Sequence, residues 1–204
     1  MKLSIEVLEQ FGINTLFNQS LKLNIISAIK AIEFLLFPKD DTIKDYGGIT
    51  IYSFYHMQNV LFNCGQIFNL FNDKSQNSEI SNRAIRLLKL YKLDKKRFPI
   101  IFDKCARNTW EHIDERIDSC RNIGGDLYVI TEDISNFSKM CIENSTCLRI
   151  FNSVEKTYTS CDRDYNTVTI KLNDLNVELT ELLEIVKSVN LMEGLIIHDE
   201  NDET

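Results

Sequence analysis

Met57, Leu61, Cys64, Phe68 and Phe71 fall at i, i+4, i+7, i+11 and i+14, one apolar seam with the period of an α-helix. A strand would split such a run between its two faces, with Cys64 and Phe68 opposite the other three, so this seam reads as a helix that packs on other helices. Its neighbours follow the same rule. Leu21 to Phe37 is apolar except for a narrow stripe through Asn24, Ser27, Lys30 and Glu33, and Pro38 ends it. Residues 40–48 (DDTIKDYGG) form a loop closed by Gly47-Gly48, and the helix carrying the seam starts near Thr50. The polar stretch 72–78 offers Ser78 as an N-cap. Ile80, Ala84, Leu87, Leu88 and Tyr91 then make the inner face of the next helix. Asp94 to Arg97 reads as solvated, and Phe98-Pro99 opens a last helical region that runs to about Asn122, where Gly124-Gly125 stops it.

Beyond that break the period changes. Leu127 to Ile130 is a short strand candidate. Leu148, Ile150, Asn152, Val154, Lys156 and Tyr158 alternate, and Thr167-Val-Thr-Ile-Lys-Leu172 is rich in β-branched residues, with a turn-like cluster at 161–166 between them. A closing helix starts at Asp174 or Asn176 and turns Leu175, Leu179, Leu182, Leu183, Val186 and Val189 inward. The fold class expected is mainly α: a helical bundle over 1–123, then a small C-terminal antiparallel β-hairpin or sheet with a closing helix over 124–204. The second part is expected to pack on the first as one domain.

Charge and cysteine usage narrow the function classes. The formal net charge is −7 and the pI about 5.1, and no basic patch stands out, which argues against bulk electrostatic capture of nucleic acid. The N-terminal MKLSIEVLEQ lacks the apolar core of a signal peptide, and Leu23 to Phe37 is too short and too polar to span a bilayer, so a cytosolic protein without membrane contact is expected. Cysteines 64, 105, 120, 141, 147 and 161 include no C-x-x-C pair and read as buried structural thiols. No metal or other cofactor is expected. His112-x-x-Glu115 reverses the E-x-x-H order of a di-iron helix and stands alone, and no Gly-rich phosphate loop or nucleophile elbow is present.

Wound at about 100° per residue, the segment Cys105 to Cys120 turns Ala106, Thr109, Trp110, Ile113, Ile117 and Cys120 toward a core. The opposite arc holds Arg107, Asn108, Glu111, His112 and Glu115. Arg107 and His112 are then about 140° and about 7.5 Å of rise apart, with Asn108 and Glu111 on the surface between them. On spacing alone this is a solvated face with an Arg107–Glu111 pair of a few tenths of a kcal/mol.

The hexapeptide Arg107-Asn-Thr-Trp-Glu-His112 resembles the R-(polar)-x-x-x-H motif of the HEPN superfamily, which sits late in a bundle of four to five helices. Glu111-His112-Ile113-Asp114-Glu115-Arg116 is similar to an E-H-F-D-E-R run in bacterial HEPN-like proteins, with Ile113 in place of the commoner aromatic. The resemblance covers about residues 20 to 122. It implies a metal-independent endoribonuclease whose two motifs face each other across a homodimer axis, with toxin or defence roles and an antitoxin-like partner by analogy. His112 would exchange protons near neutral pH, Arg107 would meet the phosphate, and Asn108 would orient either group. A two-fold axis would supply the second proton-transfer group. Glu111, Glu115 and Arg116 would line the same face as binding residues.

A second reading is a non-catalytic HEPN-like binding or scaffold protein, because Glu111, Asp114, Glu115 and Asp118 crowd that helix with charge that repels RNA. A third is a helical protein whose C-terminal sheet binds a partner, the motif being coincidental. His56, between Tyr55 and Met57, reads as a core or groove histidine.

Overall fold

The computed structural model describes residues 5–38, 49–103, 108, 126–128, 145–147, 149–161 and 167–192. Helix α1 (Ile5–Leu36) is continuous from its first turn, rather than starting near Leu21. Its N-terminal half escapes the apolar pattern because Asn14 and Asn18 sit on the buried side, 3% and 8% exposed. Their amide oxygens are satisfied in place: Gln10 Nε2 donates to Asn14 Oδ1 at 2.9 Å, and Tyr91 Oη donates to Asn18 Oδ1 at 3.0 Å. Polar groups paired in this way can be buried at little cost. The helix closes with Phe37 N–H donating to the Glu33 carbonyl, just ahead of Pro38.

Helix α2 (Ile49–Leu70) packs along α1. Its seam behaves as expected at Met57, Leu61, Cys64 and Phe71, which are buried against Leu21, Ile25, Ala28, Ile32 and Leu35 of α1, while Phe68 is half-buried. Each fully buried aliphatic or aromatic side chain of this kind contributes about 1.5–3 kcal/mol. Helix α3 (Ser78–Leu90) is capped by Asn77 rather than Ser78, its Oδ1 accepting from Glu79 N–H at 2.9 Å and Ile80 N–H at 3.3 Å. Ala84, Leu87 and Tyr91 are buried, and Ile80 and Leu88 partly so. At its C-terminus Leu93 N–H donates to the Leu88 carbonyl, and Lys92 takes φ 49°, a left-handed position where glycine is the usual occupant. A single 3-10 turn, Lys95–Arg97, leads into Phe98 and Ile101, both buried.

The C-terminal part is a three-stranded antiparallel sheet with a closing helix, plus a two-stranded parallel pair. Strands β1 (Asp126–Tyr128) and β2 (Ser145–Cys147) form the parallel pair, so the strand expected near 127–130 finds a partner that alternation did not announce. β3 (Arg149–Asn152), β4 (Thr157–Cys161) and β5 (Thr167–Lys171) follow in sheet order β3-β4-β5. The alternating run 148–158 is therefore two strands, not one. Asn152 Oδ1 accepts the N–H groups of Val154 and Glu155 at 3.0 and 2.9 Å, and Lys156 adopts φ 55°, which folds the chain back within four residues. Helix α4 (Leu172–Ser188) starts directly after β5, ahead of Asp174, and buries Leu172, Leu175, Leu179, Leu182 and Val186, with Leu183 and Val189 half-buried. It packs against α1. Phe151, Tyr158 and Ile170 of the sheet join the same hydrophobic cluster as α1, α2 and α3. Among the described residues no helix is long and apolar enough to cross a membrane.

Candidate functional site

Of the motif residues, Asn108 is described: it is helical and half-buried, and it is engaged with its surroundings. Arg107, Glu111, His112, Glu115 and Arg116 lie outside the described residues, as does the remainder of the expected 105–122 helix. The described structure does hold the chain that leads into this segment.

That entry is stapled by a carboxylate. Glu178, on the inward face of α4 and 9% exposed, accepts the Ile100 N–H through both oxygens at 3.1 Å and the Ile101 N–H through Oε2 at 3.0 Å. Two successive backbone donors aimed at one anion mimic a helix N-terminus, and the side chain supplied by α4 acts as a remote cap. One turn further along α4, Glu181 pairs with Arg97. Burial pushes the Glu178 carboxyl above its ordinary range, against the pull of the two N–H groups, with Asp174 and Glu181 adding to the rise. Sequence reading passed over Glu178, although an acid interrupting the stripe Leu175, Leu179, Leu182 was a visible signal.

Other chemistry-bearing groups are quiet. Cys64 is buried, and its thiol is pushed up to about 12 by burial and by Glu178, so it is no nucleophile at neutral pH. A cavity of about 10 Å³ beside it, lined by Leu61, Phe68, Ile100, Ile101, Ile170 and Leu175 among others, has room for one water molecule. His56 sits in a groove between rings: 4.9 Å from Phe34, 4.4 Å from Tyr52 and 5.1 Å from Tyr55, centroid to centroid. Burial lowers its pKa. Among the described residues no group of His, Cys, Asp and Glu is arranged to hold a metal ion.

A chain acidic overall leaves room for a local cluster of cations, and one segment carries it. Between Glu79 and Asp94 the sequence carries four cations and no carboxylate, and α3 with its following turn sets them along one segment. Arg83 lies 5.5 Å over the Phe17 ring and donates to the Asn69 carbonyl near the end of α2. Arg86 donates to Gln10 Oε1 at 3.2 Å. Both are half-buried, with Nε sealed from solvent and lacking an acceptor. Among the described residues no carboxylate pairs with Arg83, Arg86, Lys89, Lys92 or Lys96. Lys95 is committed to Asp73 and Arg97 to Glu181. The overall charge concealed this strip by averaging over it.

No family model, curated protein or solved structure matches the chain. Its own surfaces are the remaining guide. On α1, Leu8, Leu16, Leu23, Ile26 and Phe34 are exposed, between 39% and 67%, and fall within an arc of roughly 80° on the helical wheel, with exposed Ile13 to one side of it. A stripe running the length of a helix exceeds the scattered exposed apolar residues of an ordinary surface.

Proposed function

We propose that this chain is an HEPN-like protein that cleaves RNA without a metal, acting as a homodimer. The observation that carries the reading is the hexapeptide Arg107-Asn-Thr-Trp-Glu-His112, placed after three packed helices. The helical backbone at Asn108 supports it, and Glu178 fixes the turn at Ile100 and Ile101 by which the chain approaches the motif segment. The exposed stripe on α1 supports self-association. In the reaction proposed, one His112 takes the proton of the ribose 2′-OH while its two-fold mate protonates the departing 5′-oxygen. The 2′-oxygen bonds to phosphorus as the bond to the 5′-oxygen breaks, and Arg107 offsets the negative charge gathered on the non-bridging oxygens. An antitoxin-like partner would act by covering that face.

Arg107→Ala and His112→Ala are each expected to abolish cleavage of a generic single-stranded RNA in the presence of chelator while leaving the thermal midpoint within a degree or two. Sedimentation velocity should return twice the monomer mass. Cleavage that survives both substitutions, or that needs added divalent metal, sinks the reading. A second reading, a binding or scaffold protein without turnover, is favoured by the four carboxylates Glu111, Asp114, Glu115 and Asp118 on the motif segment. It predicts a dimer that leaves RNA intact.

A further inference from the structure

We infer that Arg83, Arg86, Lys89, Lys92 and Lys96 form a binding strip for the phosphate backbone of a single-stranded nucleic acid.

The first ground is charge without partners. Residues 83 to 97 carry seven basic side chains against Asp94 alone, a net +6 in a chain of −7, so the remainder carries −13. In so acidic a protein, cations have carboxylates available, and Lys95 and Arg97 take them. The other five do not, among the described residues. Glu79 stands four residues before Arg83, the spacing of a helical ion pair, yet Arg83 turns instead to Phe17 and the Asn69 carbonyl.

The second ground is pre-organisation. Arg83 and Arg86 are fixed by contacts to α1 and α2, and their Nε atoms are sealed. Each guanidinium keeps one nitrogen outside these bonds, Nη1 of Arg83 and Nη2 of Arg86, and an anion that neutralises the pair has to meet them there. Arg86 is less basic than usual because of burial and the nearby Arg83 charge, a repulsion that an anion relieves.

The third ground is Lys92, which holds φ 49° where glycine would be unstrained. A lysine there extends the row Arg83, Arg86, Lys89 around the helix end toward Lys96. Successive members of the row on α3 rise about 4.5 Å along the axis and step about 60° around it, a diagonal track that suits an extended polyanion better than one small anion. A membrane surface would call for apolar side chains among the cations, and on α3 Ile85 is the one exposed large apolar residue.

The choice of nucleic acid over an acidic protein rests on the ribonuclease reading above; the strip itself does not. The test is fluorescence anisotropy with a labelled 2′-O-methyl RNA, which lacks the nucleophile for cleavage, alongside DNA of the same sequence. With five phosphates engaged, log K should fall against log salt with a slope of about −3.5, roughly a hundredfold between about 50 and about 200 mM salt. Arg83→Gln/Arg86→Gln/Lys89→Gln should reduce the slope to about −1.4 and weaken binding at least tenfold at low salt. Lys92→Gly should lose about 0.7 of slope with its thermal midpoint unchanged or raised. Equal binding of RNA and DNA supports recognition of phosphate alone, and preference for RNA ties the strip to the proposed substrate. No binding at low salt, an unchanged affinity in the triple variant, or binding to phosphatidylserine vesicles in place of either oligonucleotide overturns the inference. Binding without cleavage of ordinary RNA sinks the nuclease reading and leaves the strip standing.

Discussion

Replacing Glu178 with alanine takes away the acceptor for two backbone N–H groups at once. Hydrogen bonds to a charged acceptor contribute about 1.5–3 kcal/mol each, so the gross loss is about 3–6 kcal/mol. Part of this returns, because the substitution also removes a carboxylate that is expensive to bury, and Ile100, half-buried, regains water. The net cost expected is about 2–3 kcal/mol, and with a urea slope of about 2 kcal/mol/M the midpoint falls by about 1–1.5 M. Glu178→Gln keeps one acceptor oxygen and should cost less than half as much. The pH dependence follows from the raised carboxyl pKa. The folded state holds the proton more tightly than the unfolded chain, whose value is near 4.5. The resulting stabilisation is complete below that value and is lost as pH rises through the folded pKa. Wild type should therefore gain on Glu178→Gln as the pH is lowered from neutral toward 4.5. A midpoint shift under about 0.25 M for the alanine variant, or a glutamine variant as damaged as the alanine one, would refute the remote cap.

Two further outcomes are expected. Asn77→Ala removes the acceptor for Glu79 and Ile80 N–H at the start of α3 and should cost about 1 kcal/mol in urea denaturation, with Asn77→Ser near neutral. His56, whose pKa is lowered by its aromatic groove, should titrate below 6.5 by NMR. Its contribution to stability is fully present above 6.5 and lost as pH falls through the folded value, so His56→Phe should flatten the stability profile on that side.

Periodicity revealed the helices whose inner faces are uniformly apolar: the α2 seam, the Ala84–Leu87–Tyr91 face of α3, and the Leu175–Leu179–Leu182 stripe of α4. It failed where burial is polar. Gln10 and Asn18 look like surface residues until Arg86 and Tyr91 arrive to bond them, and those partners are more than seventy residues away. The bend between β3 and β4 was hidden for a different reason. Its turn is built from Asn152, Val154 and Lys156, which also sit at alternating strand positions, and a left-handed lysine carries no sequence mark. The candidate site divides in the same way. The hexapeptide is legible as a motif, whereas Glu178 and the cationic strip act through residues distant in the chain or through a local charge that the total conceals.

The pairing of α1 with α4 has a consequence for biosynthesis. Leu35 and its neighbours on α1 share a core with Leu172, Leu179 and Val186, and Lys156 Nζ donates to the Leu35 carbonyl. During synthesis α1 thus waits for α4 before its inner face is closed, with the intervening chain as the loop between them. Until then the α1–α2 pair stands with apolar surface open on two sides, the buried face and the outer stripe. The interval between the emergence of α1 and that of α4 is thus the stage of folding at which this chain is most open to aggregation.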